Sequence, residues 1–251
     1  MTAEAPTTAP NSALADAVGI GRSELVGVVG AGGIKPFLYR LTEELDAVLT
    51  STVGIPIFDD HVAALAVTED PVSALENHSR RPLGLVPARQ SNERYRGYST
   101  ERVDEFAHLT SDQVIVKADG ARSRLLKAPD DHEPQLPETT DIVCPLASVK
   151  AVGESLTEAT VHRPERVASV TECSPGEALS PWDIASVIAS HDGGLKCVPR
   201  TARVVPVLTM VETASDEMVA DRIAGWVREH PRVERVVAVD LTESDPVREV
   251  Y

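Results

Sequence analysis

Three stretches of the chain bring together residue types that could do chemistry. The first is Val28-Val29-Gly30-Ala31-Gly32-Gly33, followed at once by Ile34, Lys35 and Pro36. Glycines let a backbone turn tightly and aim its N–H groups at an anion, and a helix starting there adds the positive end of its dipole. Gly30, Ala31, Gly32 and Gly33 are therefore candidates for a phosphate cradle, with Lys35 as a nearby cation. A complete P-loop, GxxxxGK[ST], is absent because no Gly-Lys-Ser/Thr occurs here. A tight strand-to-helix turn that binds nothing would use the same residues.

The second stretch runs from Val114 to Glu133. Asp119 falls at the C-terminal tip of the apolar run VIVKA, on the edge where α/β sheets bind ligands. Such a carboxylate could hold Mg²⁺ directly or through water. The plainer alternative is a turn residue closing the strand, which Asp119-Gly120 favours. Arg122, Arg124, Lys127, His132 and Glu133 follow closely, a dense set of anion-binding and titratable groups. The third stretch is Val161-His162-Arg163-Pro164-Glu165, where His162 and Arg163 could bind an anion or move a proton near neutral pH. A surface or capping histidine is its plainer reading.

The cysteines suggest no site. Cys144, Cys173 and Cys197 are odd in number and lack CxxC spacing, which argues against a disulfide framework and against structural zinc. Cys173 and Cys197 read as small buried hydrophobes, and His191 beside Gly193-Gly194 as part of a helix stop.

These residues need a scaffold. Glu24–Val29 reads as a buried strand broken by the glycines, and Phe37, Leu38, Leu41 and Leu45 share one helical face. Pro36 fits the first turn of that helix, and restricts Lys35 to extended backbone angles. Ala47–Thr52 predicts the next strand, completing a parallel, right-handed βαβ unit. Arg80–Arg96 reads as a basic loop with two prolines. A helix is expected after Ser99, a strand over Gln113–Ala118, a long loop over Ala121–Thr140 and a strand over Ile142–Leu146. Ser180-Pro181-Trp182-Asp183 starts a helix that stops near Gly193-Gly194. Arg203–Leu208 is a strand weakened by Pro206, Asp216–Arg228 an amphipathic helix and Arg235–Asp240 a last strand. The alternation predicts an α/β fold, a mostly parallel sheet with helices on both faces. The expected organisation is a frayed tail over 1–20 and one domain over 21–251, with an irregular lobe at about 121–176.

The chain has 251 residues and a formal net charge of −15, and only five of its 24 basic residues are lysine. Acid excess, scarce lysine and few aromatics suit a high-salt cytoplasm, where the Debye length falls to roughly 3 Å at about 1 M. A merely acidic protein is the alternative. The charge opposes non-specific nucleic-acid binding. No apolar run reaches the roughly 20 residues of a membrane span, and Met1–Ala13 has no export-signal pattern, so the expected compartment is the cytoplasm.

Val28–Leu41 (VVGAGGIKPFLYRL), Ala118–Pro134 (ADGARSRLLKAPDDHEP), and Gly153 with His162-Arg163-Pro164-Glu165 resemble, in that order, the YqeC family. The ADG…R…KAP…HEP segment is the most specific part. The resemblance implies a P-loop-type nucleotide-binding fold and an accessory role in selenium cofactor biosynthesis and the maturation of selenium-dependent molybdenum hydroxylases. It also implies selenium-donor machinery or a molybdenum hydroxylase as partner. Three departures stand out. Ile34, Lys35 and Pro36 replace the Lys and hydroxyl residues of the family's GAGGKT[ST]. Lys117 stands where the family favours Glu, and Leu208–Glu212 replaces an Asn-Lys-x-Asp-like pattern.

The combined expectation is a nucleotide- or anion-binding accessory protein, using ATP or GTP with Mg²⁺. Gly30–Gly33 and Lys35 would cradle phosphate, and Asp119 would hold or orient Mg²⁺. Arg122, Lys127 and His132 would cover the anion, His162 and Arg163 would close the site, and Gly120 and Glu133 are further ligand-binding candidates. The alternative is a non-catalytic scaffold with a degenerate nucleotide site, and nucleotide hydrolysis stays open.

Overall fold

The structure, a computed structural model, describes residues 13–251. Residues 1–12 of the expected tail lie outside that range. Ala13–Val18, placed by the sequence in the tail, instead form helix α1, whose Leu14, Ala15 and Val18 are buried. Three buried apolar side chains on one short helix explain the correction, since they dock on the core rather than fray.

The first half of the chain continues with β1 (Leu25–Gly30), α2 (Ile34–Glu44), β2 (Val48–Ser51), β3 (Ile55–Pro56), β4 (Ala64–Val67) and α3 (Pro71–Asn77). Then come β5 (Leu83–Val86), β6 (Arg89–Ser91), β7 (Arg94–Tyr95), α4 (Thr100–Ala107) and β8 (Val114–Lys117). The second half holds β9 (Leu126–Lys127), β10 (Ile142–Ser148), β11 (Val161–His162), α5 (Pro164–Val170) and α6 (Pro181–Ala189). Last are β12 (Arg203–Val204), β13 (Val207–Thr209), α7 (Ala214–Val227), β14 (Val237–Val239) and β15 (Val247–Val250).

The main sheet runs β15-β14-β13-β10-β1-β8-β2-β5-β4, with β12 also paired to β10. Every pairing is parallel except β14 with β15. Strands β1 and β2 are not neighbours, because β8 lies between them, with Val28 opposite Lys117 and Ser51 opposite the same lysine. Residues 121–176 enter the sheet at its centre through β10, which pairs with β1 and β13.

Alternation along β1 divides the core. Val26 and Val28 pack with Phe37, Leu38 and Leu41 of α2, whereas Leu25 and Val29 face the cluster holding Val103 and Phe106 of α4. Leu208 and Ala238 pack with Ile184 of α6 and Ile223 of α7. Side chains two apart in a strand share a face, so helices cover both sides.

Several local signals act as read. Ser180 and Asp183 form a reciprocal capping box at α6, and the Gly194 N–H donates to Val187 O (2.8 Å) at its end. Pro206 splits the Arg203–Leu208 stretch into β12 and β13. Arg80–Arg96 is corrected from loop to strand and hairpin. Leu83–Val86 is wholly buried between Pro82 and Pro87, and β6 and β7 form a small antiparallel sheet with β3. No helix among the described residues is long and apolar enough to cross a membrane.

Candidate functional site

The glycine turn leaves β1 at the carboxyl edge of the sheet. Gly30, Gly32 and Gly33 have φ of +88°, +72° and +107°, conformations that glycine adopts without strain. Close packing adds a second reason. A Cβ on Gly30 would stand 2.3 Å from Leu146 O, and one on Gly32 2.6 Å from Ser148 N.

The amides of the turn divide into two groups. Gly30 N–H donates to Asp119 Oδ2 (3.3 Å), Ala31 N–H to Leu146 O (3.0 Å) and Gly32 N–H to Arg124 O (2.9 Å). Thr209 Oγ1 donates to Gly32 O. These bonds hold the turn against β8, β10 and β13. The N–H groups of Gly33, Ile34 and Lys35 find no protein acceptor among the described residues. They form the free N-terminal end of α2, where an anion is favoured.

That helix end opens into a cleft of about 320 Å³. Its lining carries Lys35, Arg94, Lys117, Arg122 and Arg124, together with Gly120, and no Asp or Glu among the described residues. Five basic residues without a carboxylate among the described lining residues reverse the sign of a chain whose net charge is −15. Lys35 is the second residue of α2 and exposed, so the expectation of an extended backbone there is corrected. Burial of Ile34, Phe37 and Leu38 on that helix outweighs the preference that Pro36 imposes.

Lys117 lies deeper and is 5% exposed. Its Nζ donates to Gly54 O (3.1 Å), and Arg94 Nη2 donates to the same oxygen (2.9 Å). Burial pushes the Lys117 ammonium down to about 8, opposed by Asp119 and reinforced by Arg94.

A separate ion network stands beside the turn. Lys127 Nζ donates to Asp119 Oδ1, to Gly120 O (2.7 Å) and to Glu133 Oε2 (2.6 Å), which uses all three ammonium hydrogens. Arg163 donates to the same Glu133 oxygen (2.7 Å) and pairs with Asp130 (3.3 Å). Burial pushes the Asp119 carboxyl up, and Lys127 opposes it. Burial alone would also raise Glu133, yet the hydrogen bonds from Arg163 and Lys127 hold it down at about 2.

The sequence-derived candidates thus fall into two places. Ala31, Gly32, Gly33, Lys35, Gly120 and Arg122 line the cleft, while Gly30, Asp119, Lys127, Glu133 and Arg163 belong to the turn's internal support. His132 is exposed. His162, at the end of β11, is held below its ordinary pKa by burial and by Arg163, Lys127 and Arg122. Arg94 and Lys117 are the contributors that motif reading passes over. Arg94 sits in a hairpin with no local signature, but a lysine inside a buried four-residue strand is itself a signal.

Asp119 does not fit the role of Mg²⁺ ligand. Lys127 Nζ and Gly120 N–H share its Oδ1, Gly30 N–H takes its Oδ2, and Pro36 follows Lys35 where a hydroxyl ligand would stand. The cation that neutralises this carboxylate is the buried ammonium.

A protein-family model described as YqeC protein matches residues 26–165, more than half of the chain, and includes both the glycine turn and the Asp119–Glu133 segment. The chain is also 24% identical over 230 residues to "Uncharacterized protein YqeC" of Escherichia coli (strain K12), covering 88% of this chain and 89% of that protein. With the family model spanning the strands and turns that build the cleft, the chain belongs to the YqeC family.

Proposed function

We propose that the cleft at the N-terminus of α2 binds a phosphate-bearing small molecule, a nucleotide such as ATP or GTP being the first candidate. The observation that carries this reading is the sign of the lining. Five basic residues and three unbonded helix-end N–H groups line one cavity that, among the described residues, has no carboxylate. Backbone amides at a helix end with surrounding Arg and Lys are the usual protein answer to phosphate. The carboxyl edge of a parallel sheet is also where α/β proteins place ligands.

The family resemblance supports an accessory step in selenium cofactor biosynthesis and molybdenum hydroxylase maturation, which we propose takes place in the cytoplasm. A binding or scaffold role is favoured over nucleotide hydrolysis by one observation. Lys127 and two backbone amides occupy both oxygens of Asp119. Titration calorimetry with ATP, GTP and inorganic phosphate tests the reading. Saturable heat that Arg122→Ala diminishes is the expected result. Absence of heat with every phosphate compound at low and high salt overturns it.

A further inference from the structure

Lys117 raises a question that the helix end does not answer. Its side chain is almost wholly buried, and its ammonium has one acceptor among the described residues, the neutral oxygen of Gly54, which it shares with Arg94. A Cβ on Gly120 would stand 3.3 Å from Lys117 Nζ, so the ammonium borders the cleft wall. Asp119 is close enough to influence it, but both Asp119 oxygens are already engaged elsewhere. Two cations therefore converge on one carbonyl with no ion-paired carboxylate among the described residues. A buried charge left in that state is unfavourable unless something in the cleft completes it.

We propose that the ligand carries at least two linked phosphates, and that Lys117 and Arg94 neutralise the second one in place of a divalent cation. This rests on the phosphate-binding reading given above. The first phosphate meets the free N–H groups of Gly33, Ile34 and Lys35. A monophosphate carries about two charges, too few for five cations, whereas a diphosphate or triphosphate carries about three or four. The usual carboxylate and hydroxyl ligands for phosphate-bound Mg²⁺ are missing or occupied at Asp119 and Pro36. Two fixed side-chain cations thus supply the charge compensation that a metal supplies in other phosphate sites.

The test is calorimetry on the full chain with ADP, AMP and inorganic pyrophosphate, each in EDTA and in excess Mg²⁺. ADP and pyrophosphate should bind in EDTA, and ADP should bind about tenfold or more tighter than AMP, because charged hydrogen bonds are added. Excess Mg²⁺ should weaken ADP binding by competing for the phosphate oxygens. Lys117→Met and Arg94→Ala should each weaken ADP by about tenfold and AMP by under about threefold. Arg94 lies on a surface hairpin, so that variant keeps the test valid if Lys117→Met fails to fold. ADP binding that needs Mg²⁺, equal affinity for ADP and AMP, or full ADP affinity in Arg94→Ala overturns the proposal. No binding by any phosphate compound in either condition overturns the underlying reading, and this one with it.

Discussion

Lys127 and Asp119, eight residues apart, form an ion pair whose side chains are 0% and 2% exposed. The same Asp119 accepts from the Gly30 N–H, so the pair ties the loop after β8 to the glycine turn after β1. A buried pair that braces a turn has a different mutational signature from one that meets a ligand.

Removing one partner of a buried pair leaves the other charge uncompensated, at a cost of about 3–5 kcal/mol. Lys127→Met should lower stability by that order, read as a shifted urea midpoint. Replacing both residues by apolar ones should recover part of the loss. An unchanged midpoint in Lys127→Met would show that the pair does not support the fold.

The same substitution at Lys117 should act in the opposite direction. The folded-state pKa of Lys117 is about 8, below the ordinary 10.5, so the unfolded chain binds the proton more tightly. Stability from this group rises as pH climbs from about 8 towards 10.5, and below 8 the full penalty is present. Lys117→Met should therefore stabilise the free protein at pH 7, by an amount of the order of 3 kcal/mol at most. The comparison of the two Lys→Met variants across pH 7 to 10 checks it. Destabilisation by both would mean that Lys117 already has its counter-ion within the protein.

Glu133 contributes to the acid limit. Its folded-state carboxyl sits at about 2 against an ordinary 4.5, held down by Arg163 and Lys127. A depressed acid contributes stability above the unfolded pKa and loses it as pH falls through the folded one. Stability should therefore decline between about pH 4.5 and 2, and Glu133→Gln should flatten that slope. Equal acid slopes for parent and variant would place the sensitive group elsewhere.

These effects show how far the sequence could be read. The β1 strand, its glycine turn, α2 and the β8 strand were legible because an apolar run, a glycine cluster and a helical stripe are local signals. The sheet order was not, since nothing in β2 says that β8 will lie between it and β1. Leu83–Val86 was hidden by flanking Pro82 and Pro87, which mark turns but also bound a short buried strand. For the site, residue types gave the cluster but not the direction each one faces. Lys127 and Arg122 look alike in sequence, yet one has all its donors bonded inside the protein and the other lines the cleft. Cys197, expected to be buried, is exposed, and Cys144 and Cys173 are buried.

Salt tests the acidic surface. With a net charge of −15, self-repulsion opposes the compact state, and screening relieves it. The melting temperature should rise from dilute buffer to molar KCl. A comparison with an equally ionic but less excluded salt separates screening from salting-out. A flat or falling curve would remove the high-salt adaptation.

Asp119→Asn and Arg122→Ala together separate bracing from binding. Asp119→Asn removes one of the two carboxylates that pair with Lys127 and leaves Glu133, so it should lose about 1–3 kcal/mol of stability, the range for a charged hydrogen bond. Its effect on phosphate affinity should be under about threefold, because the Asp119 oxygens are turned to Lys127, Gly120 and Gly30 rather than to the cleft. Arg122 is exposed at the cleft and has φ +49°, a backbone conformation that alanine would inherit with similar strain. Arg122→Ala should therefore leave the urea midpoint nearly unchanged and weaken a nucleotide by about five- to tenfold. Binding heat and urea midpoint, measured on the same preparations, give the two axes. If Asp119→Asn abolishes binding at unchanged stability, its carboxylate meets the ligand or a metal on it, and the brace assigned to it is wrong.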